Sequence, residues 1–357
     1  MAQILTKITR ASETLGNLNN AYSHQFRLLE SSLEETDKII LPVLKDLIRK
    51  HTDKSIWEQL DYSLINKSHF DRAFFVKLGC EAVGGDYKKI LPAMASVELR
   101  YASGTAIDDV FDFNDERMGK PSMPKKYGPN IALSIGAILK SISSISLLSN
   151  GKELNIDLSQ FIDICIKEEI THYQVYLGQI SDILSETLPI EKIDDNFYLE
   201  MITNATGVDA GYCFELGCFL GGGTKYQQKS IFEFGVALGT AMQIRDDLLD
   251  YVNDKDLINK IPFRDFETKK KRLPLLLAYR FGSSEERKTI ERLLDKGSLN
   301  ENEKNILASF ISNEIVISYI ADLKNKLVGA AKNHFQKVGA RESTNQIISE
   351  IISQIDV

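Results

Sequence analysis

Apolar residues recur at three- and four-residue spacing along almost the whole chain, and that period leaves one broad architecture open. Ile39, Ile40, Val43, Leu44, Leu47 and Ile48 fall on one face of a helix, as do Ile347, Ile348, Ile351, Ile352 and Ile355. Strand-like alternation is scarce. The prolines, Pro42, Pro92, Pro121, Pro124, Pro129, Pro189, Pro262 and Pro274, fall mostly at or near breaks in the period, where a residue without an amide proton is tolerated. Further breaks are expected at 84–85, 119–130, 149–151, 186–195, 221–224, 253–263 and 282–284. None is long enough for a flexible linker. The expectation is an all-α chain, one large helical bundle over residues 1–357. With 43% hydrophobic residues it can bury a sizeable core.

Composition narrows the function classes. A net charge of -7 argues against a nucleic-acid partner, whose footprint would be basic. Cys80, Cys165, Cys213 and Cys218 show no CxxC spacing, so they read as reduced, buried thiols rather than zinc ligands or a disulfide framework. The five histidines follow no metal-binding pattern. Met1 to Arg10 is too short an apolar stretch for a signal peptide, and no run of eighteen apolar residues occurs. A cytoplasmic protein that is not integral to a membrane is expected. Gly221-Gly222-Gly223-Thr224 looks like a phosphate loop, but no Lys-Ser/Thr follows at P-loop spacing. A helix end followed by a turn accounts for it better.

Two short acidic patterns carry the chemistry: Asp108-Asp109-Val110-Phe111-Asp112 and Asp246-Asp247-Leu248-Leu249-Asp250. On a helix, i, i+1 and i+4 sit close together, so each pattern offers three carboxylates from about one turn. A single DDxxD is compatible with a solvated acidic patch. Here, however, Ala102, Gly104, Ala106 and Ile107 precede the first, and Leu238, Met242 and Ile244 precede the second. Acids in such surroundings are costly unless paired or metal-bound. Carboxylate oxygens in this number suit Mg2+, which keeps open positions for substrate phosphates. Two facing clusters could then grip one diphosphate and promote ionisation of its ester.

The set resembles the trans-isoprenyl diphosphate synthases, the polyprenyl synthetases of the class I terpenoid (isoprenoid) synthase fold, from about Asp71 to Pro274. Arg117-Met118-Gly119-Lys120-Pro121-Ser122 is similar to the family's RRGxPS, and Gly178-Gln179 with Asp182 to its GQxxD. Gln243 opens the second acid motif as in FQxxDDxxD, and Lys260, Asp265, Lys270, Leu273 and Pro274 fit GKPxxxDLxxGKxTLP with Arg272 at its threonine. The resemblance implies a bundle with a central cavity, catalytic and Mg2+-binding roles for Asp108, Asp109, Asp112, Asp246, Asp247 and Asp250, and a homodimer. It also implies substrate contacts from Arg117, Gln243, Lys260, Lys270, Arg72, Gln179 and Thr206. Gln179 and Asp182 could equally order the cavity wall. Ser103 and Gly104, one turn below the first cluster, would leave a hydrocarbon tunnel open or serve close helix packing.

The departures concern the acceptor. Where the family holds isopentenyl diphosphate through GGKxxRP, a histidine and a second arginine, this chain has His69 for the lysine, Arg72 retained, Tyr101 for the histidine and Met118 for the arginine. Each lost charge-assisted contact is worth about 1.5 to 3 kcal/mol. The family's lysine-threonine pair becomes Ala205-Thr206. The implied activity is transfer from an allylic prenyl diphosphate to isopentenyl diphosphate. The alternatives are terpene synthase-like cyclisation, prenyl transfer to another acceptor, or a non-catalytic subunit.

Overall fold

A computed structural model describes residues 26–65, 69–251 and 262–355. The elements in chain order are α1 (Arg27–His51), α2 (Trp57–Leu64), α3 (Asp71–Ala82) and α4 (Leu91–Phe111), then a hairpin of β1 (Glu116–Arg117) and β2 (Lys120–Pro121). There follow α5 (Met123–Tyr127), α6 (Pro129–Glu153), α7 (Leu158–Thr187), α8 (Asp195–Ile202), a π-helical turn (Thr203–Gly207), α9 (Val208–Leu220) and α10 (Lys225–Leu249). The chain closes with α11 (Arg264–Glu267), α12 (Leu273–Phe281), α13 (Ser284–Lys296), α14 (Glu301–Ile311), α15 (Glu314–Gln336) and α16 (Glu342–Ile355).

The helical period is realised, with boundaries set by local chemistry. Pro92, Pro124, Pro129 and Pro274 sit in the first turn of their helices, where no amide donor is missed. Thr224 with Gln227, Ser283 with Glu286 and Asn300 with Glu303 close capping boxes at the starts of α10, α13 and α14. The glycine run before Thr224 is the helix end and turn expected of it: Gly222 has φ +87, and the Gly223 amide donates to Cys218 O at 2.8 Å. Two boundary expectations need correction. Pro42 lies inside α1. The break expected at 149–151 is helix, because α6 continues to Glu153. Gly151 there admits the Phe161 ring, whose Cζ would stand 2.1 Å from an added Cβ.

α9 is buried around its circumference and lies at the centre, with Val208 to Phe219 all buried and only Asp209 and Glu215 charged among them. It meets α3 at backbone distance: a Cβ on Gly79 would fall 2.1 Å from Phe214 O, and one on Gly217 would fall 1.9 Å from Val76 O. Phe75, Phe214, Phe234 and Phe335 then stack in sequence across α3, α9, α10 and α15, with centroid separations of 4.8, 5.0 and 4.8 Å. A second buried cluster joins α8 and α12 to α14 and α15. α10 packs on α9 and α15 and delivers its C-terminal end to the same side of the molecule as the end of α4. α6 is long and apolar enough to cross a membrane by length and composition alone, yet 44% of its most apolar window is buried, and it lies along α4.

Candidate active site

Both acid motifs end their helices. α4 closes at Phe111 with Asp112 as its C-cap, and α10 closes at Leu249 with Asp250 as its C-cap. The third acid of each motif is therefore a cap, not a helix-interior residue as the spacing suggested. Carboxylates at the negative end of a helix are disfavoured, so each motif attracts cations.

At the first motif, the Arg117 guanidinium donates to Asp109 at 2.7 and 3.0 Å and reaches Asp108 at 3.5 Å. The hairpin presents Arg117 through a two-residue turn, Met118 and Gly119, both with positive φ (51 and 71). That turn puts Met118 on its exposed tip. Burial first, and Asp112 second, push the Asp108 carboxyl up to about 7, against the pull of Lys270 and Arg117. Lys270 donates to Asp112 Oδ2 at 2.6 Å, while Asp112 Oδ1 is buried without a hydrogen-bond partner.

At the second motif, Asp247 is buried and accepts from the Tyr198 hydroxyl and from Gln243 Nε2, each at 2.7 Å. Burial pushes its carboxyl up to about 6, although Arg272 opposes this. Thr206, in the π-helical turn, donates to Gln243 Oε1 at 2.9 Å. Thr206 and Gln243 thus form a relay that positions Asp247. Asp246, more exposed, pairs with Arg245 at 2.9 Å. Asp250 Oδ2 accepts the Asp265 amide at 3.3 Å.

Between the motifs runs a ladder of alternating charge. Lys270 bonds Asp112 and reaches Asp182 at 3.0 Å. Arg272 donates to both oxygens of Asp182 at 2.8 and 3.2 Å and to Asp265 at 3.0 Å. The last link is not an ion pair: the Asp265 backbone amide donates to Asp250. Lys271 points away, to the Ser185 and Glu186 carbonyl oxygens at 2.7 and 2.9 Å. The basic run thus alternates its side chains, and Asp182 joins Lys270 to Arg272. Among the described residues, no three acidic, histidine or cysteine side chains converge closely enough to hold a metal unaided. The carboxylates are spread along this ladder instead.

The remaining residues are placed as follows. Ser103 is buried with no partner for its hydroxyl, and a Cβ on Gly104 would meet nothing within 4 Å, so Gly104 borders open space rather than close packing. Gln179 Nε2 is also buried and unpartnered. His172 lies edge-on to Tyr176 at 5.0 Å, and burial together with Lys140 and Arg100 holds its pKa down to about 4. Arg72 donates to Asp209 at 2.9 Å and lies over the Tyr101 ring at 3.9 Å. His69 Nδ1 is 2.6 Å from Asp37. Lys260 lies outside the described residues.

The chain is a helical bundle in which two aspartate-rich helix ends meet across one set of ion pairs, and comparison with known proteins identifies its class. Residues 53–311 match the sequence profile of the polyprenyl synthetase family. The geranylgeranyl diphosphate synthase of Methanosarcina mazei is 28% identical over 262 residues, 70% of this chain and 76% of that protein. A short chain isoprenyl diphosphate synthase of Methanocaldococcus jannaschii is 24% identical over 271 residues, 75% of this chain and 80% of that protein. Among solved structures, a polyprenyl synthase from Caulobacter crescentus complexed with calcium and isoprenyl diphosphate shares the fold with a TM-score of 0.79 at 20% identity, covering 93% of this chain and 97% of that one. The chain belongs to the polyprenyl synthetase family and has its all-α isoprenoid synthase fold. It is a prenyltransferase.

Proposed function

We propose that this prenyltransferase ionises an allylic prenyl diphosphate between Asp108, Asp109, Asp112 and Asp246, Asp247, Asp250, and condenses the allylic cation with isopentenyl diphosphate. The observation that carries this reading is the ladder from Asp112 through Lys270, Asp182, Arg272 and Asp265 to Asp250, which links the two helix ends across one site. The donor set fits Mg2+: it is all carboxylate oxygen, Asp112 Oδ1 is orphaned, and Asp108 and Asp112 repel each other. Bound Mg2+ would neutralise charge developing on the leaving diphosphate. The calcium and isoprenyl diphosphate in the Caulobacter crescentus enzyme support the pairing of metal and substrate.

Arg117 and Lys270 are fixed cations in a largely water-excluded setting, where they oppose the charge of the departing diphosphate without needing to reorganise. The allylic C–O bond breaks, with its electron pair leaving on diphosphate. The isopentenyl double bond then attacks the cation, and the released diphosphate accepts the proton lost. Open space beside Gly104 gives the hydrocarbon tail a path along α4.

A second reading, cyclisation or transfer to an acceptor lacking a diphosphate, is favoured by one observation: Met118, at the position of the family's second arginine, carries no charge and lies on the exposed tip of the hairpin. Incubation with Mg2+ and geranyl or farnesyl diphosphate, with and without isopentenyl diphosphate, separates the readings. Longer diphosphates appearing only with isopentenyl diphosphate support condensation. Hydrocarbon, alcohol or prenylated products independent of it support the second reading. Absence of diphosphate release under all conditions would reject both and leave a non-catalytic subunit.

The homodimer is proposed to form through α6 and α7. Ile162, Ile166, Ile170, Tyr173, Ile180 and Leu184 are exposed along one face of α7, and an apolar groove of about 860 Å³ runs between the two helices past Leu148 and Phe161. A stripe of this length on a monomer marks an interface, and a two-fold axis would pair it with itself. Ile166→Glu with Ile170→Glu is expected to convert a dimer to monomers in sedimentation experiments. A wild-type monomer, or recruitment to phospholipid vesicles in place of dimerisation, would contradict the assignment.

A further inference from the structure

The site has lost one cation and gained another, and the two adjoin α7 one turn apart, Ala205 at Gly178 and the Arg272 guanidinium at Asp182. The resemblance puts a lysine where this chain has Ala205, on the π-helical turn that also carries Thr206. Ala205 packs directly on α7: a Cβ on Gly178 would stand 2.8 Å from the Ala205 Cβ and 2.4 Å from its amide nitrogen. Asp182 lies four residues further along α7, on the same face and about 6 Å away by helical rise. Asp182 is the residue that holds Arg272, and its side chain is only 8% exposed. A lysine side chain rooted at 205 is long enough to bring its ammonium group to that neighbourhood. Arg272, where the family pattern has threonine, brings a guanidinium there from the opposite wall.

Arg272 is also distributed appropriately between the acid motifs. The charges acting on it are Asp182, Asp265 and Asp247, whereas those acting on Lys270 include Asp182 and Asp112. Lys270 therefore faces the first motif and Arg272 the second. The Arg272 side chain is 12% exposed and is anchored at both ends of its guanidinium, by Asp182 on α7 and Asp265 on α11. Those anchors fix its position before substrate arrives. Three of its five N–H donors serve those anchors, which leaves two on a permanently charged group for a further anion.

We propose that Arg272 is a catalytic residue of this chain, contacting the allylic diphosphate and supplying the positive charge that Ala205 no longer provides. The inference rests on the reading of the site given above. It implies that charge at 272 and charge at 205 are interchangeable, which a purely structural role for Arg272 does not.

The test compares wild type, Arg272→Lys, Arg272→Gln, and Arg272→Gln combined with Ala205→Lys. Two readouts are taken: kcat for diphosphate release from farnesyl diphosphate, and calorimetric affinity for inorganic diphosphate with Mg2+. Melting temperature is recorded for each. Arg272→Gln, whose amide can still bond Asp182, is expected to lose about 100-fold in kcat, with weaker diphosphate binding. Arg272→Lys is expected to stay within about 10-fold, and Ala205→Lys to restore most of both losses. Unchanged affinity in Arg272→Gln would overturn the proposal, as would a loss that Ala205→Lys fails to repair. If Arg272→Gln does not fold, Arg272→Lys with and without Ala205→Lys decides: tighter diphosphate binding in the double variant than in Arg272→Lys supports the proposal, and equal binding overturns it. Wild type that neither binds nor releases diphosphate would instead sink the proposed function itself.

Discussion

Asp108→Ala and Asp246→Ala are each expected to lower the rate of diphosphate release from an allylic prenyl diphosphate by about 10³-fold. Each removes one carboxylate from a motif whose remaining acids are already committed: Asp109 to Arg117, and Asp247 to Tyr198 and Gln243. The neighbours cannot compensate without abandoning those bonds. Product assay by chromatography measures the effect, and wild-type rates in either variant would remove that motif from the mechanism.

Asp108 adds a stability signature that separates chemistry from folding. Its folded pKa of about 7 lies above the unfolded value near 4. The stability associated with the protonated carboxyl is present below about pH 4 and is lost as pH rises through about 7. In a chelator, Asp108→Asn should melt like wild type at low pH and increasingly above it as pH approaches 7.5. Parallel melting curves across that range would show that burial and Asp112 do not act on Asp108 as described.

What the sequence disclosed depended on how locally each feature is encoded. Helices, caps and the acid motifs are written within four or five residues, and the structure places them nearly where the period and spacing indicate. The capping role of Asp112 and Asp250 was missed because periodicity cannot tell a last helical turn from the residue that ends it. The break misplaced at 149–151 arose from treating glycine as punctuation, when Gly151 is needed by a ring ten residues on. The ladder through Asp182 and Arg272 joins residues 90 apart in sequence, and no local rule encodes it. One signal was present. Arg100 between Leu99 and Tyr101, and Asp209 between Val208 and Ala210, are charges in apolar helices, the same anomaly that marked the two acid motifs.

Those last charges define the largest expected stability effect. Arg100 sends one guanidinium nitrogen to Glu168 at 2.7 Å and another to Asp209, which also binds Arg72 at 2.9 Å. Arg100, Glu168 and Asp209 are 4%, 2% and 6% exposed. Burial pushes Asp209 towards protonation, yet the two arginines outweigh it and hold the carboxyl below its ordinary value. Asp209→Leu would therefore leave Arg72 without its carboxylate and Arg100 with Glu168 alone, and should cost about 3 to 5 kcal/mol in denaturant unfolding. The cost belongs to the unpaired charge rather than to the pair. Arg72→Met together with leucine at 100, 168 and 209 should accordingly recover most of it, because no charge of the cluster is then left without its partner. A quadruple variant no more stable than Asp209→Leu would mean that these side chains contribute through shape rather than through charge.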